Sequence, residues 1–132
     1  MEELVAGLIR GMGLKTMITP KGKDRGKDII ASPDGLGLGD TKIFIEVKHR
    51  KGKMGADEIR RFSGGLRNPI KGLFVSTGGF TQEAKYEAER SNIPITLMDI
   101  DLLVDHIFKN YEKFDIETRL LVPLQKVYWP EI

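Results

Sequence analysis

Between residues 71 and 108 the chain alternates apolar strands with capped helices, and this rhythm restricts it to an α/β fold. Lys71-Gly72-Leu73-Phe74-Val75-Ser76 has a continuous apolar centre, the pattern of a strand covered on both faces. Gly78-Gly79 turns the chain, and Thr81 can cap a helix running to about Arg90. Ile95–Met98 reads as the next strand, and Asp99 can cap a helix ending near Phe108. Two strands joined through a helix in this way form a parallel pair with a right-handed crossover.

The first half reads differently. Leu4, Val5, Leu8, Ile9 and Met12 lie at helical spacing, Glu2 and Glu3 favour the positive end of that helix's dipole, and Gly13 is placed to end it. Leu14 to Thr19 is short and β-like, and Pro20 closes it. Asp28–Ala31 and Lys42–Lys48 read as two strands of a hairpin with a long glycine-bearing connection. Residues 55–66 suit a helix with Ile59, Phe62 and Leu66 on one face. The connection contains Gly35-Leu36-Gly37-Leu38-Gly39, which superficially matches a dinucleotide fingerprint. That fingerprint needs a helix after the glycines, so that phosphate meets the helix N-terminus, and here a strand follows. Nucleotide binding there is set aside.

At 132 residues the chain fits one domain over residues 1–132, with a core of about 1–108 and a tail, 109–132, apolar enough to pack on the core or on a second subunit. It has no cysteine, so disulfides and thiolate metal sites are excluded. No apolar run approaches the ~18 residues of a membrane span. The acidic start, Met1-Glu2-Glu3, is unlike a secretory signal. A cytoplasmic protein with no membrane partner is the expectation.

Lys42–Lys48 carries the chemistry. Side chains alternate along a strand, so Ile43, Ile45 and Val47 face one way and Phe44, Glu46 and Lys48 the other. A carboxylate and an ammonium on one face of an apolar strand are costly to bury without partners. The Asp/Glu-x-Lys pattern also occurs at Asp40–Lys42 and Glu83–Lys85, but only Glu46–Lys48 lies inside an apolar strand. Antiparallel pairing of the hairpin can bring Asp28 close to Glu46. Asp28 and Glu46 would supply hard oxygen ligands for Mg²⁺, with the Val47 carbonyl as a further ligand. Lys48 would orient or help deprotonate a metal-bound water and offset charge on a phosphorus under attack. The alternative is a surface salt bridge on an edge strand.

Charge is distributed unevenly. Residues 10–71 hold 15 Lys/Arg against 7 Asp/Glu, whereas residues 81–117 hold 4 against 9. The cations bracket the proposed site, with Lys23, Arg25 and Lys27 before Asp28 and Arg50, Lys51 and Lys53 after Lys48. This placement suits contacts to a nucleic-acid backbone and carries no base-sequence information. His49, by strand parity, points away from Glu46 and Lys48. His106 reads as a surface or capping histidine, and Tyr128-Trp129 as a packing anchor.

The joint run of Glu2 in the first helix, Asp24-Arg25-Gly26-Lys27-Asp28, Glu46-Val47-Lys48, Lys71–Thr77 and Phe80-Thr81-Gln82-Glu83-Ala84 resembles the catalytic domain of Mrr-type restriction endonucleases, within the PD-(D/E)xK nuclease superfamily. The resemblance extends over roughly residues 1–108. It implies a restriction-endonuclease-like three-layer α/β/α sandwich with a central mixed sheet. It also implies Mg²⁺-dependent endonucleolytic cleavage of DNA, with Mn²⁺ able to substitute. The family's metal-binding acids fall on Asp28 and Glu46 and its lysine on Lys48. Many Mrr-type members carry Gln where this chain has Glu46. Related Holliday-junction resolvases use a helix-one glutamate near the metal; here that is Glu2, for which dipole stabilisation is the preferred reading. Cutting both strands would call for a homodimer. The usual recognition domain does not fit in 132 residues, so the expectation is a stand-alone nuclease, a fragment, or a module targeted by a separate domain or protein. The rivals are a structure-specific junction resolvase and a non-catalytic DNA-binding module.

Overall fold

The computed structural model describes residues 1–20, 27–33, 42–66 and 70–124. The elements, in order, are α1 (Glu2–Gly11), β1 (Lys15–Pro20), β2 (Lys27–Ser32), β3 (Ile43–Lys48), α2 (Ala56–Gly64), β4 (Lys71–Ser76), α3 (Gln82–Arg90), β5 (Ile95–Met98), α4 (Ile100–Asn110), a 3-10 turn (Tyr111–Lys113) and α5 (Ile116–Leu121). The five strands form one sheet in the order β1-β2-β3-β4-β5. β1 and β2 pair antiparallel, as do β2 and β3, whereas β3–β4 and β4–β5 are parallel. The sheet is therefore mixed, and β3 is the strand where its sense changes.

Local chemistry accounts for the element ends. Gly13 takes a φ of 101° just past α1, where its amide donates to the Arg10 carbonyl at 2.9 Å. Thr81 and Asp99 cap α3 and α4 as read from the sequence, accepting from the Ala84 amide at 3.1 Å and the Leu102 amide at 2.9 Å. The α2 N-terminus has no Ser, Thr or Asp in that role. Instead the Glu58 carboxylate reaches back to the Gly55 amide at 3.0 Å.

Two apolar clusters lie on opposite faces of the sheet. One joins Val5, Leu8 and Ile9 of α1 and Leu103 and Ile107 of α4 to Ile29, Ile45 and Val75. The other joins Ile59 and Phe62 of α2 and Ala84 of α3 to Phe74, with Phe44 and Leu97 packed against it. β4 contributes to both, which is why its centre is apolar throughout; Leu73, Phe74 and Val75 are all buried. Each fully buried Leu, Ile or Phe stabilises the fold by about 1.5–3 kcal/mol, so neither face can be left open. The result is three layers, with α1 and α4 on one side of the sheet and α2 and α3 on the other.

The described part of the tail docks on α1. Thr118 of α5 is buried against Gly7, so close that a Cβ on Gly7 would lie 2.1 Å from its hydroxyl oxygen. Arg10 reaches Asp115 at 3.0 Å. Residues 125–132, including Tyr128 and Trp129, lie outside the described residues, as does the 34–41 connection.

Candidate active site on the central strand

The strand faces are as the alternation predicts. Ile45 is buried under α1, while Phe44, Glu46 and Lys48 turn toward α2. The edge-strand alternative fails, because β3 is the middle strand of five. Lys48 Nζ lies 3.6 Å from Glu46 Oε1, with the two side chains only 25% and 15% exposed. Each charge thus has a counter-charge, which answers the burial cost that their positions in an apolar strand impose.

Both side chains open into a cleft of about 250 Å³, which is also lined by Arg50, Glu58, Arg61, Phe62 and Phe74. β3 supplies Glu46 and Lys48, the segment following it supplies Arg50, and α2 supplies Glu58, Arg61 and Phe62. Arg61 and Glu58 went unnoticed in the sequence. The signal for them was available: the strand–helix–strand crossover must lay α2 across one face of β3, and Ile59 and Phe62 fix which side of α2 faces inward.

The segment after β3 is held in place by backbone contacts. The Thr77 amide donates to the Lys48 carbonyl at 3.1 Å, the Met54 amide to the Gly79 carbonyl at 2.9 Å, and the Thr81 amide to the Met54 carbonyl at 3.0 Å. Thr77 Oγ1 donates to the Arg50 carbonyl at 3.4 Å and is hydrogen-bonded to His49 Nδ1 at 3.0 Å. Residues 49–54 therefore run beside the turn that follows β4, so Arg50 stands on an anchored segment. His49 is exposed and turned to Thr77, in keeping with its strand parity. Lys51 and Lys53 are exposed on the same segment.

The remaining sequence candidates divide by location. Lys23 and Arg25 lie outside the described residues, and for Lys27 and Asp28 only the backbone position is described. That position matters. β2 and β3 pair Ile29 with Ile45 and Ile30 with Phe44, and one further step of this register sets Asp28 across from Glu46. The Lys42 and Lys48 carbonyls accept from β4-side amides, so by alternation the Val47 carbonyl turns toward β2. Glu2 stands in the first turn of α1 with its carboxylate 3.6 Å from the Met1 amino group. Among the described residues no three His, Cys, Asp or Glu side chains gather as a metal-binding group. The Asp28 side chain is not among those described. His106 lies within α4, where its carbonyl accepts from the Asn110 side chain at 2.8 Å.

The family model for the Mrr catalytic domain, a restriction endonuclease family, matches residues 1–107. The type IV methyl-directed restriction enzyme EcoKMrr of Escherichia coli (strain K12) is 32% identical over 100 residues, covering 74% of this chain and 31% of that enzyme. Among solved structures, the DNA modification-dependent restriction endonuclease AspBHI superposes with a TM-score of 0.66 at 18% identity, covering 91% of this chain and 33% of that one. The MspJI restriction endonuclease, in complex with a 27-mer oligonucleotide, gives 0.62 at 15% identity, covering 91% and 30%. These likenesses establish the restriction-endonuclease-like α/β fold. The chain spans about a third of the length of each of these relatives.

Proposed function

The chain belongs to the Mrr-type restriction endonuclease family, and on that premise we propose that it is a metal-dependent DNA endonuclease whose catalytic residues are Asp28, Glu46 and Lys48. The observation that carries this reading is the Glu46–Lys48 pair, 3.6 Å apart, in a cleft on the central strand, with Asp28 at the facing register position. A carboxylate and an ammonium kept in a half-buried cleft, with arginines beside them, suit hydrolysis of a phosphodiester better than they suit packing.

The donor set fits a hard divalent cation. Glu46, Asp28 and the Val47 carbonyl would hold it, each offering a hard oxygen donor from the adjacent strands β2 and β3. When bound, Mg²⁺ (or Mn²⁺ in its place) supplies a water of lowered pKa and neutralises charge on the phosphate. Lys48 positions the attacking water from beside Glu46 and offsets negative charge as it develops on the phosphoryl oxygens. The water oxygen bonds to phosphorus as the P–O3′ bond breaks, leaving a 5′-phosphate and, once the leaving oxygen is protonated, a 3′-hydroxyl. Arg50, Lys51 and Lys53, with Lys23, Arg25 and Lys27 of the preceding segment, contact the DNA backbone without reading sequence. Glu2 is kept as a dipole-stabilising residue of α1.

Duplex cutting by this chain calls for a homodimer, and target choice for a separate domain or protein. A cytoplasmic site of action would suit a DNA substrate; no helix among the described residues is long and apolar enough to cross a membrane. The test is cleavage of supercoiled plasmid with Mg²⁺, with EDTA, and with Glu46→Ala. Nicking or linearisation that requires both metal and Glu46 is expected. Cleavage that survives Glu46→Ala would move the site elsewhere.

A further inference from the structure

Two consecutive arginines on α2 have different surroundings. Arg60 is used up in the fold: its guanidinium lies 2.9 Å from Asp57 and 3.2 Å from Glu87, tying α2 to α3. Arg61 makes no hydrogen bond or ion pair among the described residues, and it lines the cleft with Glu46 and Lys48. The other charges of that cleft are largely committed. Lys48 stands against Glu46, and Glu58 gives a carboxylate oxygen to the Gly55 amide. Arg50 forms no ion pair among the described residues either; its backbone carbonyl, not its guanidinium, takes the Thr77 hydroxyl. The cleft therefore presents two guanidinium groups without an ion-pair partner among the described residues, one from the segment after β3 and one from α2. Phe62 and Phe74 line it beside them.

From this arrangement we propose that Arg61 binds a phosphodiester of the DNA strand entering the cleft, next to the bond that is cut, so that α2 forms one wall of the DNA groove. Guanidinium presents a planar fork of donors that matches two phosphate oxygens at once. Arg61 is exposed, so its guanidinium is open to a strand arriving from solvent. The ligand chemistry is a phosphodiester backbone, recognised by charge and shape and not by base. This inference rests on the endonuclease reading and names a contact residue that the sequence pattern did not single out.

The experiment measures binding of a short fluorescent duplex by anisotropy across a NaCl series, with the full chain carrying Glu46→Ala to prevent cleavage. Each phosphate contact on B-form DNA contributes about −0.9 to the slope of log K against log salt. Adding Arg61→Ala should flatten the slope by about that amount and weaken low-salt affinity by roughly 10- to 100-fold, the range for a lost charged hydrogen bond. Arg61→Lys should restore the slope, because the charge is kept, but not the full affinity. Arg60→Ala, on the same helix, should leave the slope unchanged. Melting curves confirm that each variant is folded, and a folded Arg61→Ala protein with an unchanged slope and affinity overturns the proposal. If plasmid cleavage by the unmodified chain still requires Glu46 in that event, the nuclease reading stands and only the Arg61 contact fails. If the unmodified chain neither cleaves nor binds duplex, both fall.

Discussion

A single methyl group at Gly78 should disturb the candidate site from a distance. A Cβ built there would lie 2.1 Å from the Gly52 carbonyl oxygen and 2.5 Å from that of Arg50, where ordinary contact begins at 3.4 Å. Both obstacles are backbone atoms, so no rotamer change relieves them, and the two segments must separate by roughly 1 Å. Overpacking of this kind costs about 1–3 kcal/mol, and the separation also strains the Thr77–Lys48 and Met54–Gly79 hydrogen bonds. A total near 3 kcal/mol corresponds to a fall of roughly 10 °C in Tm for a domain of this size. Gly52→Ala is the control: its Cβ would meet nothing within 4 Å, so its Tm should hardly move. Gly79→Ala adds a side chain at φ 86° in open space and should cost about 1 kcal/mol through backbone strain alone. The assays are thermal unfolding and plasmid cleavage well below the melting transition. Because Arg50 rides on the displaced segment, Gly78→Ala should also cut more slowly while fully folded. A Gly78→Ala protein as stable as Gly52→Ala would refute the close apposition of residues 50–52 and the β4–α3 turn.

Asp115→Ala should destabilise the protein by about 1–2 kcal/mol, because it removes the α5 cap on the Thr118 amide at 2.8 Å; the exposed Arg10 pair adds little. Hydrogen bonds from the Thr118 hydroxyl and amide, and then Arg10, hold the Asp115 carboxyl below its usual range. Its contribution is therefore present above the unfolded-state carboxylate pKa and is lost as pH falls through the folded value. The Tm difference between wild type and variant should shrink below about pH 4. Gly7→Ala should push α5 off α1, lowering Tm and exposing the tail to protease, yet spare cleavage at low temperature because the cleft lies across the sheet. Lys48→Met should lower the cleavage rate by about 10²–10⁴-fold, the scale of a lost proton-handling group, while DNA stays bound. Equal loss of binding and rate would recast Lys48 as a backbone contact.

The strands and helices of residues 71–108 were legible because each carries its own signal: an apolar run, a side-chain cap, a glycine turn. The Phe44–Glu46–Lys48 face was legible from the two-residue period alone. What escaped was set by assembly. Nothing local reveals that β1 would pair with β2 and leave β3 at the centre, yet that placement decides whether Glu46 and Lys48 are a surface pair or line a cleft. Arg60 and Arg61 are indistinguishable as sequence; the crossover of α2 over the sheet gives one to Glu87 and the other to the cleft. α5 is six residues long, too short for periodicity to declare, and it is legible only through its Asp115 cap and its contact with Gly7.

The position of β3 also explains why chemistry can collect there. Among the described strands it is the one with an antiparallel neighbour on one side and a parallel neighbour on the other. At its C-terminal end the antiparallel partner is beginning, so Asp28 enters beside Glu46, while the parallel partner is ending, so the Ser76–Gly79 turn lies beside residues 49–54. An all-parallel sheet would bring only strand ends and their loops to that edge, and a purely antiparallel one would lack the helix crossover that lays α2 across the same face. The mixed sheet sets the backbone position of Asp28 beside a strand-borne Glu–Lys pair, which shares its cleft with a helix-borne arginine, each from a different element. This arrangement makes two separable demands on the sequence. Residues facing α1 are free to be any apolar set that packs, whereas those facing α2 at the end of β3 carry charges that packing alone would reject. Replacing Glu46 and Lys48 together by apolar residues should therefore leave the fold intact, and it would abolish the activity those charges are proposed to supply.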